Sequence, residues 1–89
     1  MSDQTKRTAI ELKYPVMIDG TETSVLHMRR PKVRDQILLD KAGKVGKGEG
    51  EREVLLFANL CEIAPDSLEE MDMCDYRKLQ ETYSSFLEG

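Results

Sequence analysis

Between Thr8 and Ile18 the apolar side chains fall on every second position, at Ile10, Leu12, Tyr14, Val16 and Ile18, and Asp19-Gly20 follows at once. A helix cannot place residues two apart on one face, whereas a pleated strand does so by its geometry. The segment 8–18 is therefore a half-buried strand, and Asp19 and Gly20 supply the positive φ that a tight reversal needs. A second strand over 22–29 completes a hairpin, with Leu26 and Met28 as its large apolar residues. A hairpin alone is not stable in water, so the rest of the chain has to cover its apolar face.

The register follows from which residues must be buried. A two-residue turn pairs Ile18 with Thr21 and sends Leu26 and Met28 to solvent. A three-residue loop, 19–21, pairs Ile18 with Glu22, Val16 with Ser24, Tyr14 with Leu26 and Leu12 with Met28. A one-residue slip flips every side chain, so the second register is expected. Pro15 cannot donate to the ladder, which marks an edge at that point.

The apolar period changes at Arg30-Pro31. Pro31 suits the first position of a helix and holds Arg30 extended, so a helix is expected over 31–42, with Val33, Ile37, Leu38 and Ala42 inward and Arg34, Asp35 and Lys41 outward. Residues 43–50, GKVGKGEG, hold four glycines in eight positions, and a flexible loop is expected there. A second helix is expected over 51–63; its stretch VLLFANL is apolar nearly all round, which makes it the central element. Pro65 stops it. Ser67 and Glu70 have capping-box spacing for a short helix over 66–71. Asp72 then caps a last helix over 73–88, whose stripe is Tyr76, Leu79, Tyr83, Phe86 and Leu87. The fold class is α+β: a hairpin followed by three to four helices packed on one face. Residues 1–7 read as a disordered polar end, and 8–89 as a single domain.

Charge is divided unevenly in this 89-residue chain of net charge −4, with ten basic against seven acidic residues in 1–49 and three against ten in 50–89. Arg29, Arg30, Lys32 and Arg34 form a basic cluster, and a small nucleic-acid-binding regulator using 29–34 is the alternative function to be weighed. The acidic total and a pI near 5.0 oppose it. The arginines are expected instead to meet helix carboxylates such as Asp72, Asp75 or Glu81, in the same chain or in a partner.

No constellation for catalysis is visible. The glycine stretch has Glu49 where a phosphate-cradling loop needs lysine, and it follows a helix instead of a strand. A lone His27, read as an ordinary strand residue, leaves little material for a triad, and the spacing advertises no further ligands for a metal site. Cys61 and Cys74 fall in segments that read as apolar helix faces, without paired spacing, and are expected as buried reduced thiols. The chain is expected not to be an enzyme, to need no cofactor or metal, and to carry neither a secretory signal nor a membrane span.

The "LKYP" strand, the Ile18-Asp19-Gly20 turn, the "RRPKVRD" joint, the glycine-rich break, the block "LLFANLCEIAPDSLEEMDMCDYRKLQE" and the final "FL" together resemble the tail assembly chaperones of Mu-like and related contractile-tailed phages. The resemblance covers about residues 9 to 88. Its most specific parts are Arg29-Arg30-Pro31 with Val33-Arg34-Asp35, and Ala58-Asn59-Leu60, Pro65, Leu68, Asp75-Tyr76 and Leu79-Gln80. It implies a phage or prophage protein of the bacterial host cytoplasm that binds the tape measure protein while tail tube protein polymerises around it, and that is absent from the finished tail. A longer frameshifted product is also a feature of that family. No catalytic residue comes with the resemblance. The partner-binding residues expected from the chain's own pattern are Arg29, Arg30 and Arg34 in the joint and Tyr76, Tyr83, Phe86 and Leu87 on the last helix, engaging the tape measure protein or a second copy, with Met71 and Met73 making such a surface adaptable.

Overall fold

A computed structural model describes residues 7–89, and its elements run β1 (Thr8–Ile18), β2 (Thr21–Met28), α1 (Val33–Lys44), α2 (Glu49–Cys61), α3 (Pro65–Glu69) and α4 (Met73–Leu87). The α+β class holds: one antiparallel hairpin, with α2, α3 and α4 packed against it and α1 packed on α2. The polar end expected over 1–7 lies outside the described residues except for Arg7, whose guanidinium pairs with Glu62 at 2.9 Å.

The hairpin overturns the expected register. Ile18 pairs with Thr21 across a two-residue turn, in which Asp19 and Gly20 have φ of 51° and 79°. Continued unbroken, that pairing would expose Leu26 and Met28. Between Glu11 and Val16 the ladder breaks, so that residues 12–15 of β1 face only Ser24 of β2, and beyond the break Ile10 pairs with Leu26 and Thr8 with Met28. An odd excess of residues on one strand flips the facing of the other, so the bulge achieves what the longer loop was invoked to do. Leu26 and Met28 are 3% and 0% exposed, as burial required. Tyr14, expected to face Leu26, lies inside the bulge and is exposed. Pro15 falls where no ladder bond is asked of it.

Two backbone N–H groups freed by this bulge find one acceptor. Lys13 N and Tyr14 N donate to the two carboxylate oxygens of Asp75 at 2.8 and 2.9 Å. Asp75 is fully buried in the first turn of α4, so the bulge also fixes where that helix meets the sheet. Lys78 closes the site, with Nζ donating to Glu11 O at 2.9 Å and lying 3.3 Å from Asp75. Burial works to raise the Asp75 pKa, but the two backbone N–H groups and Lys78 outweigh it, and the carboxyl is held below its ordinary value.

The helix bounds differ from expectation for identifiable reasons. Lys32 is extended, so α1 begins at Val33 rather than at Pro31. At its far end α1 runs through Gly43 to Lys44, and Gly46 at φ 92° then takes the left-handed position, with Lys47 N reaching Ala42 O and Gly46 N reaching Gly43 O, both at 3.1 Å. The second helix begins at Glu49 and includes Gly50, so helix invades both ends of the glycine-rich stretch. It ends when Glu62, at φ 60°, takes the left-handed position usually given to glycine. Pro65 itself starts α3, and Ser67 lies within that helix instead of capping it. Asp72 caps α4 as expected, accepting from Cys74 N at 2.9 Å.

The core joins Ile10, Leu12, Val16, Leu26 and Met28 of the sheet to Leu56, Phe57, Leu60 and Cys61 of α2, Leu68, Met71, Leu79 and Phe86. As its sequence indicated, α2 is the central element. Cys61 is buried, and that burial pushes its thiol up to about 12 against the pull of Arg7. Cys74 departs from expectation: it sits exposed in the first turn of α4. Among the described residues no helix is long and apolar enough to cross a membrane.

Candidate functional site

The basic joint is divided: Arg29 is enclosed, whereas Arg30, Lys32 and Arg34 are exposed. Arg29 is 7% exposed; its Nη1 and Nη2 donate to the two oxygens of Asp35 at 3.0 and 2.9 Å, and its backbone N–H donates to Leu60 O at 3.1 Å. Asp35 also accepts from Lys32 N at 2.7 Å and Asn59 Nδ2 at 2.8 Å. One carboxylate thus ties the end of β2, the first turn of α1 and the last turns of α2 together. Burial pushes the Asp35 pKa upward; Arg29, Lys32 N and Asn59 outweigh it, and the net effect is a lowered value.

This network turns α1 away from the expected face. Asp35 and Ala42 are buried with Leu38 and Leu39 half-buried, whereas Val33 and Ile37, both expected inward, are 80% and 49% exposed. Apolar side chains occur on both sides of this short helix, and periodicity could not choose between them. The buried ion pair does.

Arg30 serves another element. Its Nη2 donates to Phe86 O at 3.0 Å and its guanidinium lies 5.2 Å from the Phe86 ring centroid. The last turn of α4 contains no basic residue of its own, so Arg30 supplies the cation that the negative helix end favours. Arg34 is exposed and makes no hydrogen bond or ion pair with the described residues. The carboxylates expected for these arginines are used elsewhere: Asp72 caps α4, Asp75 holds the bulge, and Glu81 lies on an exposed face. Arg29 and Arg30, two of the four basic side chains of 29–34, are thus engaged in contacts within the fold.

The last-helix stripe divides. Phe86 is 8% exposed and belongs to the core. Tyr76 and Tyr83 are half-buried, with ring centroids 5.6 and 5.5 Å from that of Phe57. The Tyr76 hydroxyl donates to Glu53 Oε1 at 2.8 Å, and burial followed by that contact raises its pKa. Leu87 is 64% exposed.

Leu87 and Tyr83 meet residues of α1 and α2 in a groove between α1 and the C-terminal half of α4. One hollow of about 250 Å³ is lined by Pro31, Val33, Leu39, Leu56, Tyr83 and Leu87 among others. It shares Gln36, Leu39, Leu56 and Tyr83 with a second hollow of about 240 Å³ that continues to Asp40, Glu49, Arg52 and Glu53. The floor is apolar and the far end charged. A wider recess of about 470 Å³ on the polar side of α4 is lined by that helix and the following Glu88 alone, so it has no second wall. A smaller apolar hollow joins Val54, Leu68, Met71, Met73 and Tyr76, with Met73 exposed at its edge. Among the described residues no group of His, Cys, Asp and Glu is placed to hold a metal ion.

Of the residues expected to bind a partner, the groove brings together Tyr83 and Leu87, whereas Arg29, Tyr76 and Phe86 make their contacts within the fold. Sequence reasoning missed Val33, Leu39, Leu56 and Arg52 as groove residues. For Val33 and Leu39 the signal was the excess of apolar positions on α1, too many for one face; Leu56 and Arg52, on α2, had none.

The chain matches the family described as "Phage tail assembly chaperone proteins, E, or 41 or 14" over residues 9–88. No curated protein and no solved structure matches it. The family match runs through the hairpin, the Arg29–Asp35 joint and all four helices, and the chain belongs to the phage tail assembly chaperones.

Proposed function

We propose that this chaperone binds the tape measure protein in the cytoplasm of the bacterial host, holding its long helices apart while tail tube protein assembles, and that the groove between α1 and α4 is the client seat. The observation that carries the reading is uncovered apolar surface at that groove: Val33 at 80% and Leu87 at 64% exposure stand beside a floor of Leu39, Leu56 and Tyr83. A chaperone that must release its client benefits from such a surface, since apolar contact is strong enough to hold an amphipathic helix and non-directional enough to accept many. Holding and release are binding equilibria and ask for no catalytic group.

The test is co-expression of the tape measure protein with wild-type chain or with a Val33→Asp/Leu87→Asp variant. Wild type is expected to keep the client soluble and to co-purify with it, whereas the variant fails to do so with an unchanged thermal midpoint. Equal recovery with both, or no protection by wild type, overturns the reading.

A further inference from the structure

We infer that the segment seated in this groove is an amphipathic helix carrying a carboxylate at the edge of its apolar stripe, and that Arg52 recognises that carboxylate; the inference rests on the client-binding reading above. Arg52 leaves α2 and lies across α1 at Gly43, where an added Cβ would come within 2.8 Å of Nη1. Glycine thus leaves room for the guanidinium. Its Nε is buried without an acceptor among the described residues, although Arg52 lines the same hollow as the apolar floor residues Leu39, Leu56 and Tyr83. Buried donors without partners are rare in folded proteins, because the lost water hydrogen bond is not replaced.

The carboxylates around Arg52 are engaged or displaced. Glu53 accepts from the Tyr76 hydroxyl at 2.8 Å and Gln80 Nε2 at 3.0 Å. Asp40 accepts from Gln36 Nε2 at 3.3 Å, and Glu49 sits in the first turn of α2, where the helix dipole favours it. Nε itself is closed off from solvent, so an arriving carboxylate would meet the guanidinium from the hollow that Arg52 lines, as a charge-assisted acceptor. The same acidic rim disfavours a segment rich in acids, so the geometry selects one carboxylate with neutral or basic neighbours. Two adjoining hollows of about 240 and 250 Å³ along one groove suit successive side chains of a docked helix.

The probes are three designed helical peptides of about 20 residues with a common leucine stripe and Glu, Gln or Lys at its edge, titrated against the full chain by fluorescence anisotropy. The Glu peptide is expected to bind about tenfold tighter than the Gln peptide, with the preference shrinking at high salt and vanishing in Arg52→Gln. Methyl shifts of Leu39 and Leu56 in the wild-type chain provide a readout that needs no variant. Equal affinity for Glu and Gln peptides, tighter binding of the Lys peptide, a preference that survives Arg52→Gln, or shifts confined to other surfaces would each overturn the inference. Tape measure binding that is intact in Arg52→Gln removes this inference and leaves the client reading. Failure of wild type to bind the tape measure protein removes the client reading, and the peptide preference then decides the Arg52 site alone.

Discussion

Arg29 and Asp35 form a two-point ion pair, with N–O distances of 3.0 and 2.9 Å, that the fold almost wholly removes from water. Removing one partner strands the other. Asp35→Ala is expected to cost about 3–5 kcal/mol, and Arg29→Met a comparable amount. The double variant Arg29→Met/Asp35→Ala should be milder than the sum, because no charge is left unpaired. Urea unfolding of all four proteins measures the coupling, and strict additivity would show that the pair acts as two independent residues.

Asp75 holds the bulge through Lys13 N and Tyr14 N. Asp75→Ala is expected to cost about 1–3 kcal/mol for each orphaned N–H that stays out of water. Amide exchange at Lys13 and Tyr14 should accelerate by more than the global loss explains, while Ile18 near the turn keeps its relative protection. Uniform acceleration across β1 would show that the bulge does not depend on Asp75.

Acid should weaken the fold through the same two carboxylates. Both Asp35 and Asp75 are held below their ordinary value of 3.8 in the folded chain. Between the folded and unfolded values, the unfolded chain binds more protons, so their contribution is complete above the unfolded pKa and is lost as pH falls through the folded one. Urea midpoints are expected to be flat from about pH 7 to 5 and to drop below about pH 4. Asp35→Asn should lower the neutral plateau and flatten the acid slope; an unchanged slope would assign the acid loss to other groups.

The two thiols should react at very different rates. Cys61 is buried with its pKa pushed up to about 12, whereas Cys74 is exposed, its pKa raised by the hydrogen bond with Asp72. A thiol-specific reagent at pH 8 is expected to label Cys74 in the native chain, more slowly than a free cysteine, and Cys61 only on unfolding. Mass spectrometry after brief labelling distinguishes one adduct from two.

Phe86 and Leu87 are neighbours in sequence with opposite surroundings, 8% and 64% exposed. Phe86→Ala is expected to cost about 3–5 kcal/mol as a core truncation, whereas Leu87→Asp should stay within about 0.5 kcal/mol of wild type. Thermal unfolding of the two variants measures this. A large loss in Leu87→Asp would mean that the groove edge is part of the core.

Much of the fold was legible along the chain. The period-two run ending at Asp19-Gly20 specifies a hairpin, Asp72 specifies the start of α4, and the apolar run from Val54 to Leu60 specifies the buried helix, because each depends on neighbours within a few residues. The hairpin and the order of the helices after it followed from such local signals, with three to four helices expected and four present among the described residues. Even the requirement that Leu26 and Met28 face inward was correct.

What only the tertiary structure decided are choices between local alternatives of similar energy. The hairpin meets its burial requirement by a bulge instead of a longer loop because Asp75, sixty-one residues beyond Tyr14, can accept both freed N–H groups. The first helix buries Asp35 in preference to Val33 because Arg29 and Asn59 converge on that carboxylate from two other elements. That rotation leaves Val33 beside the groove and places Leu39 on its floor. Hydrophobic periodicity records which side chains gain from burial, but a buried charge satisfied from three directions outweighs it, and those directions exist only once the chain has folded.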